Sequence, residues 1–312
     1  MTRLVFNSFL FNSLVILASL ASVNFLAAQD STENYFRVYY ANDFFRARDL
    51  YYTQSYRLEL NRNLWSFLFT REGFTPSSIA DPEIRIGDHP YAGVTYIGVR
   101  RTWKGIEGRR NDAFSIQGFL GVIGPVSGGK QEQTSIHRWI GDELPMGWGN
   151  QIANDLVLDG MVGYDRLLFE NRFLDIELGS LARLGTYRTR LDVHGQIRLG
   201  IVEPRTTKKG KSFSLVYRIS PVMQLVGYDA TLQGGVFNNS SPYTVPTSDI
   251  SRAVGRIHTA LEMRYGGFGA SFGHTYQTRR FATIDRHAWG EITLVWYGKK
   301  VGRILRGEIG VN

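Results

Sequence analysis

The chain has 312 residues, with 36 Lys and Arg against 28 Asp and Glu for a formal net charge of +8, and it contains no cysteine. That length suits one large β-domain or two ordinary domains. The missing cysteine excludes disulfides, thiolate catalysis, Cys-containing zinc sites and lipoprotein acylation.

The first 28 residues stand apart. Arg3 is their only charge, and an apolar run, Phe9 to Phe11 and then Leu14 to Leu20, leads into small residues. This pattern predicts a secretory signal peptide over residues 1–28, cut after Ala28 by preference, with Ala21 as the rival site. No later segment reaches the roughly 20 uninterrupted apolar residues of a transmembrane helix. A basic excess fits a plain soluble surface, but on an exported chain it more often meets phosphorylated lipid or polysaccharide than nucleic acid.

Beyond the leader, strand periodicity accompanies 16 Tyr, 19 Phe, 6 Trp and 34 Gly, with only 9 Pro. Candidate strands fall near residues 35 to 41, 51 to 61, 91 to 102, 112 to 122, 157 to 169, 173 to 186, 189 to 202, 212 to 225, 226 to 234, 251 to 265, 266 to 278 and 287 to 297. In 51 to 61, Tyr52, Tyr56, Leu58 and Leu60 share one face, with Gln54 as the exception. Thr53, Ser55, Arg57, Glu59 and Asn61 share the other. Later, Ile257, Leu261, Met263 and Tyr265 oppose Arg256, His258, Glu262 and Arg264. A soluble sandwich also alternates, but strands that mostly reach roughly 9 to 11 residues, charged on one face and apolar on the other, suit an all-β transmembrane antiparallel barrel. About twelve strands, an even number, is the expectation for such a barrel.

Residues 62 to 90, 123 to 156, 203 to 211 with the basic run TTKKGK, and 235 to 249 read as loops. The 123 to 156 insertion exceeds a simple hairpin and holds KQEQTSIHRWI, which reads as one short helix between Gly129 and Gly141, in a long extracellular loop. Gln133, Ile136, His137 and Ile140 form an i, i+3, i+4, i+7 face, with Gly141 as the stop. The barrel is thus expected over 29–297, with a basic tail over 298–312 and no second folded domain.

Three patches concentrate polar residues: Asn42 and Asp43 in YYANDFF, Thr53 after RDLYY, and the helix. Each alone has a plain structural reading, since Asn-Asp at a strand end is a common turn signal. Together they offer a base, a carboxylate and amide donors for an oxyanion. Ser135 lies roughly 200° around the helix from His137 and cannot pair with it there. No G-x-S-x-G elbow is present, and the GKS at Gly210 to Ser212 lacks the earlier glycine of a P-loop. His89, His194, His258, His274 and His287 show no H-x-x-x-H spacing and read as structural, His89 being set apart by its place in DHPYAG.

The runs YANDFF, RDLYYTQSYRLEL, GDHPYAGVTYIGV, LGVIGPVSGG, QTSIHRWIG and PMGWGNQIAND resemble the lipid A 3′-O-deacylases of Gram-negative outer membranes. The resemblance extends from about residue 35 to about 297 and is densest before residue 156. It implies a twelve-stranded outer-membrane barrel that removes the ester-linked 3′-acyloxyacyl chain of lipid A in lipopolysaccharide, with calcium as cofactor. Motif by motif, the family's Asn-Asp pair falls on Asn42 and Asp43, its strand threonine on Thr53, and its glutamine and catalytic histidine on Gln133 and His137. Asp43, with Glu143 after the histidine, is the implied metal-binding acid. The family also has a lysine before DxPYAG; residues 63 to 88 contain none, and Arg71 and Arg85 are the basic residues that could substitute for it, neither at the matching position. A non-enzymatic pore or structural barrel, and a phospholipase-type barrel, are the competing expectations.

Overall fold

A computed structural model describes residues 34–43, 51–106, 109–202 and 213–298. The expected signal peptide, the basic 203–211 loop and the tail beyond Gly298 lie outside the described residues. Twelve antiparallel strands form a closed barrel: β1 (Tyr35–Asn42), β2 (Tyr51–Arg62), β3 (Trp65–Thr75), β4 (Ala92–Ile106), β5 (Arg109–Ile123), β6 (Asp155–Glu170), β7 (Leu174–Gly185), β8 (Arg188–Ile201), β9 (Phe213–Asp229), β10 (Ala253–Tyr265), β11 (Phe268–Gln277) and β12 (His287–Tyr297). Each strand pairs with the next, and β1 closes on β12 with Tyr35 opposite Tyr297 and Asn42 opposite Gly290. Two helices follow β5 and β9, α1 (Gly129–Ile140) and the single turn α2 (Ala230–Gln233).

The expected count of twelve holds through two offsetting errors. β3 lies inside the stretch 62 to 90 that reads as a loop. Its outward Trp65 and Phe67 are exposed, but Leu68 interrupts the polar inner series of Ser66 and Thr70, so the polar-apolar contrast that signals a strand is weak. Conversely, 212 to 225 and 226 to 234 are not two strands but one, β9, ending in α2.

Period-two alternation sorts the side chains to the two sides of the wall. Leu58, Phe67, Ile97, Leu120, Leu158 and Leu261 are exposed outward. Inward, Glu59 accepts from the Tyr35 hydroxyl at 2.6 Å and Arg37 at 3.1 Å, and also from Arg100. Loops 76–91, 124–154, 230–252 and 278–286 gather at one end, while β2–β3, β6–β7 and β10–β11 turn tightly at the other. In barrels of this kind the long-loop end faces outward from the cell.

The lumen encloses a cavity of about 590 Å³ and is crossed by polar ties. The Tyr187 hydroxyl donates to Glu72, Arg188 reaches both Glu72 at 3.5 Å and Asp229 at 3.3 Å, and Arg280 donates to Asp229 at 2.6 Å. Leu232, Val245, Ile250, Phe281 and Ile284 cluster at the long-loop end. Beside them His89 stacks on Phe74, ring centres 5.3 Å apart. Its Nδ1 lies 2.6 Å from the Pro90 carbonyl, which only accepts, so Nδ1 carries the proton and Nε2 accepts from Arg280 at 3.0 Å.

Burial, then the Arg280 charge, pushes His89 down to about 3 from an ordinary 6.5. The folded state therefore refuses a proton that the unfolded chain takes up below about pH 6.5, so stability is full above that pH and is lost as the pH falls toward about 3. Urea unfolding at about pH 7 and about pH 4.5 is expected to show this loss, and His89→Phe, which cannot titrate, is expected to lessen it. Equal losses in parent and variant would rule His89 out as the source.

Candidate active site

β1 and β2 carry the first residues to the long-loop rim. Along β1, Tyr35 and Arg37 bond Glu59, and Tyr39 donates to Glu291 at 3.0 Å, so these odd positions face the lumen. Tyr40 and Asn42 therefore face outward, and Asn42 Nδ2 donates to the Tyr40 hydroxyl at 2.9 Å. Asn42 closes the ladder opposite Gln54, and Asp43 follows it directly with 1% exposure.

Strict alternation sends Thr53 to the lumen with Ser55, Arg57 and Glu59; the structure corrects this. Tyr51 pairs with Thr75 and Gln54 with Gly73, so Tyr52 and Thr53 together oppose Phe74. This is a β-bulge, in which one extra residue re-aims its neighbours. Tyr52, expected outside, packs on Phe74 at 5.4 Å and on Trp289 at 4.8 Å within the barrel. Thr53 turns to the outer side, its hydroxyl 2.6 Å from that of Thr75.

Helix α1 forms where expected, between Gly128 and Gly141, which both adopt positive φ, 79° and 74°. It docks on the outside of the wall. Gly93 of β4 permits the approach, since a Cβ there would stand 2.3 Å from Ser127 Oγ and 3.1 Å from Gly129 Cα. Next along the wall, Glu132 pairs with Arg71 Nε of β3 at 2.5 Å and accepts from the Tyr56 hydroxyl of β2 at 3.4 Å. Tyr40 of β1 lies within electrostatic reach of both Glu132 and Asp43. β1 to β4 thus bring Asn42, Thr53 and the helix to one stretch of outer wall, with buried Asp43 directly after Asn42. None of Asn42, Asp43, Thr53, Gln133 and His137 lines the luminal cavity.

The buried side of the helix is Gly129, Gln133 and His137. The expected four-residue stripe is cut short, because Ile140 is 53% exposed and its neighbour Trp139 is 87% exposed. His137 Nδ1 lies 2.5 Å from the Glu143 backbone carbonyl. A carbonyl only accepts, so Nδ1 carries the proton and the lone pair of the neutral ring sits on Nε2, the state a general base needs. The Glu143 carbonyl thus orients the histidine, while the Glu143 side chain, the metal ligand implied by resemblance, is exposed. Gln133 Oε1 accepts from the Trp148 indole N–H at 2.7 Å.

Calcium takes six to eight oxygen ligands, carboxylate or neutral. Among the described residues no group of three His, Asp or Glu side chains gathers to hold a metal. Asp43 supplies one buried carboxylate, with the neutral oxygen of Asn42 next to it in sequence, a hard donor set that fits calcium in kind. Of the two arginines before DHPYAG, Arg85 is engaged within its own loop by Asp81 and Asp88, at 2.7 and 3.2 Å. Arg71 is the one that stands beside the helix.

Sequence reasoning missed Tyr56, Glu132 and Trp148 at this site. Tyr56 and Glu132 meet across 76 residues of chain, with no local pattern to announce it. Trp148 did carry a signal, the flanking glycines of Gly-Trp-Gly: a Cβ at Gly147 would stand 2.5 Å from Tyr91 Cε2. DHPYAG serves as scaffold. Asp88 accepts from Ser77 N at 3.0 Å, Tyr91 packs on Trp148 at 5.0 Å, and Gly93 admits the helix.

Comparison with known proteins agrees with the barrel fold. The family model described as outer membrane protein LpxR matches residues 10–297. No curated protein matches the chain. Among solved structures, LpxR from Salmonella typhimurium is similar with a TM-score of 0.70 and 20% identity, covering 85% of this chain and 100% of that one. The β domain of the Bordetella autotransporter BrkA follows at a TM-score of 0.43 and 9% identity, covering 86% and 99%. The translocator domain of the autotransporter NalP from Neisseria meningitidis is similar at 0.40 and 10%, covering 95% and 97%. At 20% identity the first of these shares the fold.

Proposed function

Since the chain belongs to the LpxR family, the lipid A 3′-O-deacylases of Gram-negative outer membranes, we propose that it hydrolyses the ester of the 3′-linked acyloxyacyl chain of lipid A with a water molecule activated by His137. The observation that carries this reading is the Nδ1–H bond from His137 to the Glu143 carbonyl, on a helix docked against the outer wall of the barrel. Lipid A lies in the outer leaflet, and a site on the outer wall meets it without entering the lumen. Trp139 and Met146, exposed near the rim, and Ile97 and Leu120 on the wall supply apolar surface for acyl chains.

In this mechanism His137 Nε2 takes a proton from water as the water oxygen attacks the ester carbonyl. Gln133 Nε2 donates to the oxygen that becomes negative, and Asn42 and Thr53 are further donors along the same wall. Collapse of the tetrahedral intermediate breaks the bond to the sugar oxygen, which takes the proton back from His137, and the acyl chain leaves as a free acid. Asp43 would hold calcium, which when bound supplies positive charge beside the reacting carbonyl.

The polar ties across the lumen weigh against the pore reading. Mass spectrometry of lipid A from cells making the protein is expected to show loss of the 3′-acyloxyacyl mass, and chelation of calcium in a membrane assay is expected to stop that loss. Intact lipid A in the presence of calcium would overturn the proposal. Lysophospholipid in the same extract would assign the barrel to phospholipid instead.

A further inference from the structure

The geometry points to Trp148 as a positioning residue that sets which end of the Gln133 amide faces the reaction, an inference that rests on the deacylase reading above. Gln133 is 1% exposed and Trp148 2%. An amide can present either its oxygen or its NH₂ at a given point, and the two ends are nearly alike in shape. The indole nitrogen can only donate, so the Gln133 atom 2.7 Å from Trp148 Nε1 must be the oxygen. The NH₂ is then directed away from the indole.

That NH₂ is fully buried and, among the described residues, has no hydrogen-bond acceptor. Buried donors are almost always satisfied, and an unmet one marks a place for an acceptor that arrives later. A carbonyl oxygen gaining charge in the transition state is such an acceptor. With the amide reversed, Gln133 would offer a carbonyl oxygen at that point and repel the oxyanion.

The indole is itself held so that it can impose this choice. Its ring packs on Tyr91 with centres 5.0 Å apart. Its backbone carbonyl accepts from Gln151 Nε2 at 3.0 Å. On either side, Met146 N donates to the Ile79 carbonyl and Ile152 N to that of Tyr91, both at 2.8 Å. The helix presses on the ring edge at Gly129, where a Cβ would stand 2.8 Å from Trp148 Cη2. Neither ring nor helix can shift freely, so the N–H addresses one atom of Gln133.

The test replaces the indole N–H without altering the packing. Trp148→3-benzothienylalanine keeps the bicyclic shape and puts sulfur in place of N–H; Trp148→Phe is the simpler companion. Each is assayed on lipid A in mixed micelles with calcium, alone and combined with Gln133→Ala. The expected result is a fall in kcat of about tenfold or more with little change in KM, part of the roughly 10² to 10³ that an oxyanion donor can contribute. In the Gln133→Ala background the same replacement is expected to cause no further fall, because nothing remains to be oriented. An unchanged kcat in the benzothienyl protein, or equal losses in both backgrounds, would overturn the inference and leave Trp148 a packing residue. A parental kcat in Gln133→Ala alone would also overturn it. A parent that leaves lipid A intact would instead overturn the deacylase reading beneath it, and that control is read before any variant.

Discussion

His137→Ala is expected to lower lipid A deacylation by roughly 10² to 10⁴, the range that a positioned general base contributes, while the barrel remains folded. The side chain is held by the Glu143 carbonyl within the same loop and takes no part in strand pairing, so the β4–β5 and β5–β6 ladders do not depend on it. Folding is checked by the altered electrophoretic mobility of unheated barrel, and activity by release of the acyl chain from lipid A in micelles. A folded variant that deacylates at the parental rate would remove His137 from the mechanism. Glu143→Gln is a useful companion, because it keeps the carbonyl that orients the ring and is expected to retain most of the activity. A large loss there would assign the carboxylate to the metal.

Arg188→Ala should have its large effect on stability instead. Arg188 lies between Glu72 and Asp229 and over the Tyr187 ring, 4.3 Å from its centre. Truncation leaves both carboxylates in a closed lumen with fewer partners, Tyr187 on Glu72 and Arg280 on Asp229. Removing one member of a buried ion pair typically costs roughly 3 to 5 kcal/mol. Urea unfolding in lipid vesicles measures it, and a change under about 1 kcal/mol would show the pairing to be as weak as an exposed one. Deacylation by the folded fraction is expected to persist, because the Arg188 network faces the lumen and the proposed site lies on the outer wall.

The division between lumen and lipid was largely readable from residue order. A period-two repeat is a local property, and Glu59 and Leu58, or Glu262 and Leu261, fall on opposite sides as alternation requires. Helix α1 was legible for the same reason, since glycines at both ends and a polar 3.6-residue stretch are contained in one short segment. Where contrast between faces weakened, as in β3 with Leu68 on the inner side, the strand was lost from view.

The alternation and the glycine-bounded segment therefore determined a barrel, its approximate strand count and a helix bearing Gln133 and His137. Only the tertiary structure decided which side of the wall the candidate site residues occupy. The bulge at Tyr52 and Thr53 reverses the expected side of each, and it exists through pairing with β3, a strand the sequence did not reveal. Close approach of Gly93 to Gly129 puts the helix on the outer wall, and Trp148 reaches Gln133 through a fold of the loop. Such contacts depend on shape and register across distant segments, which no local period encodes.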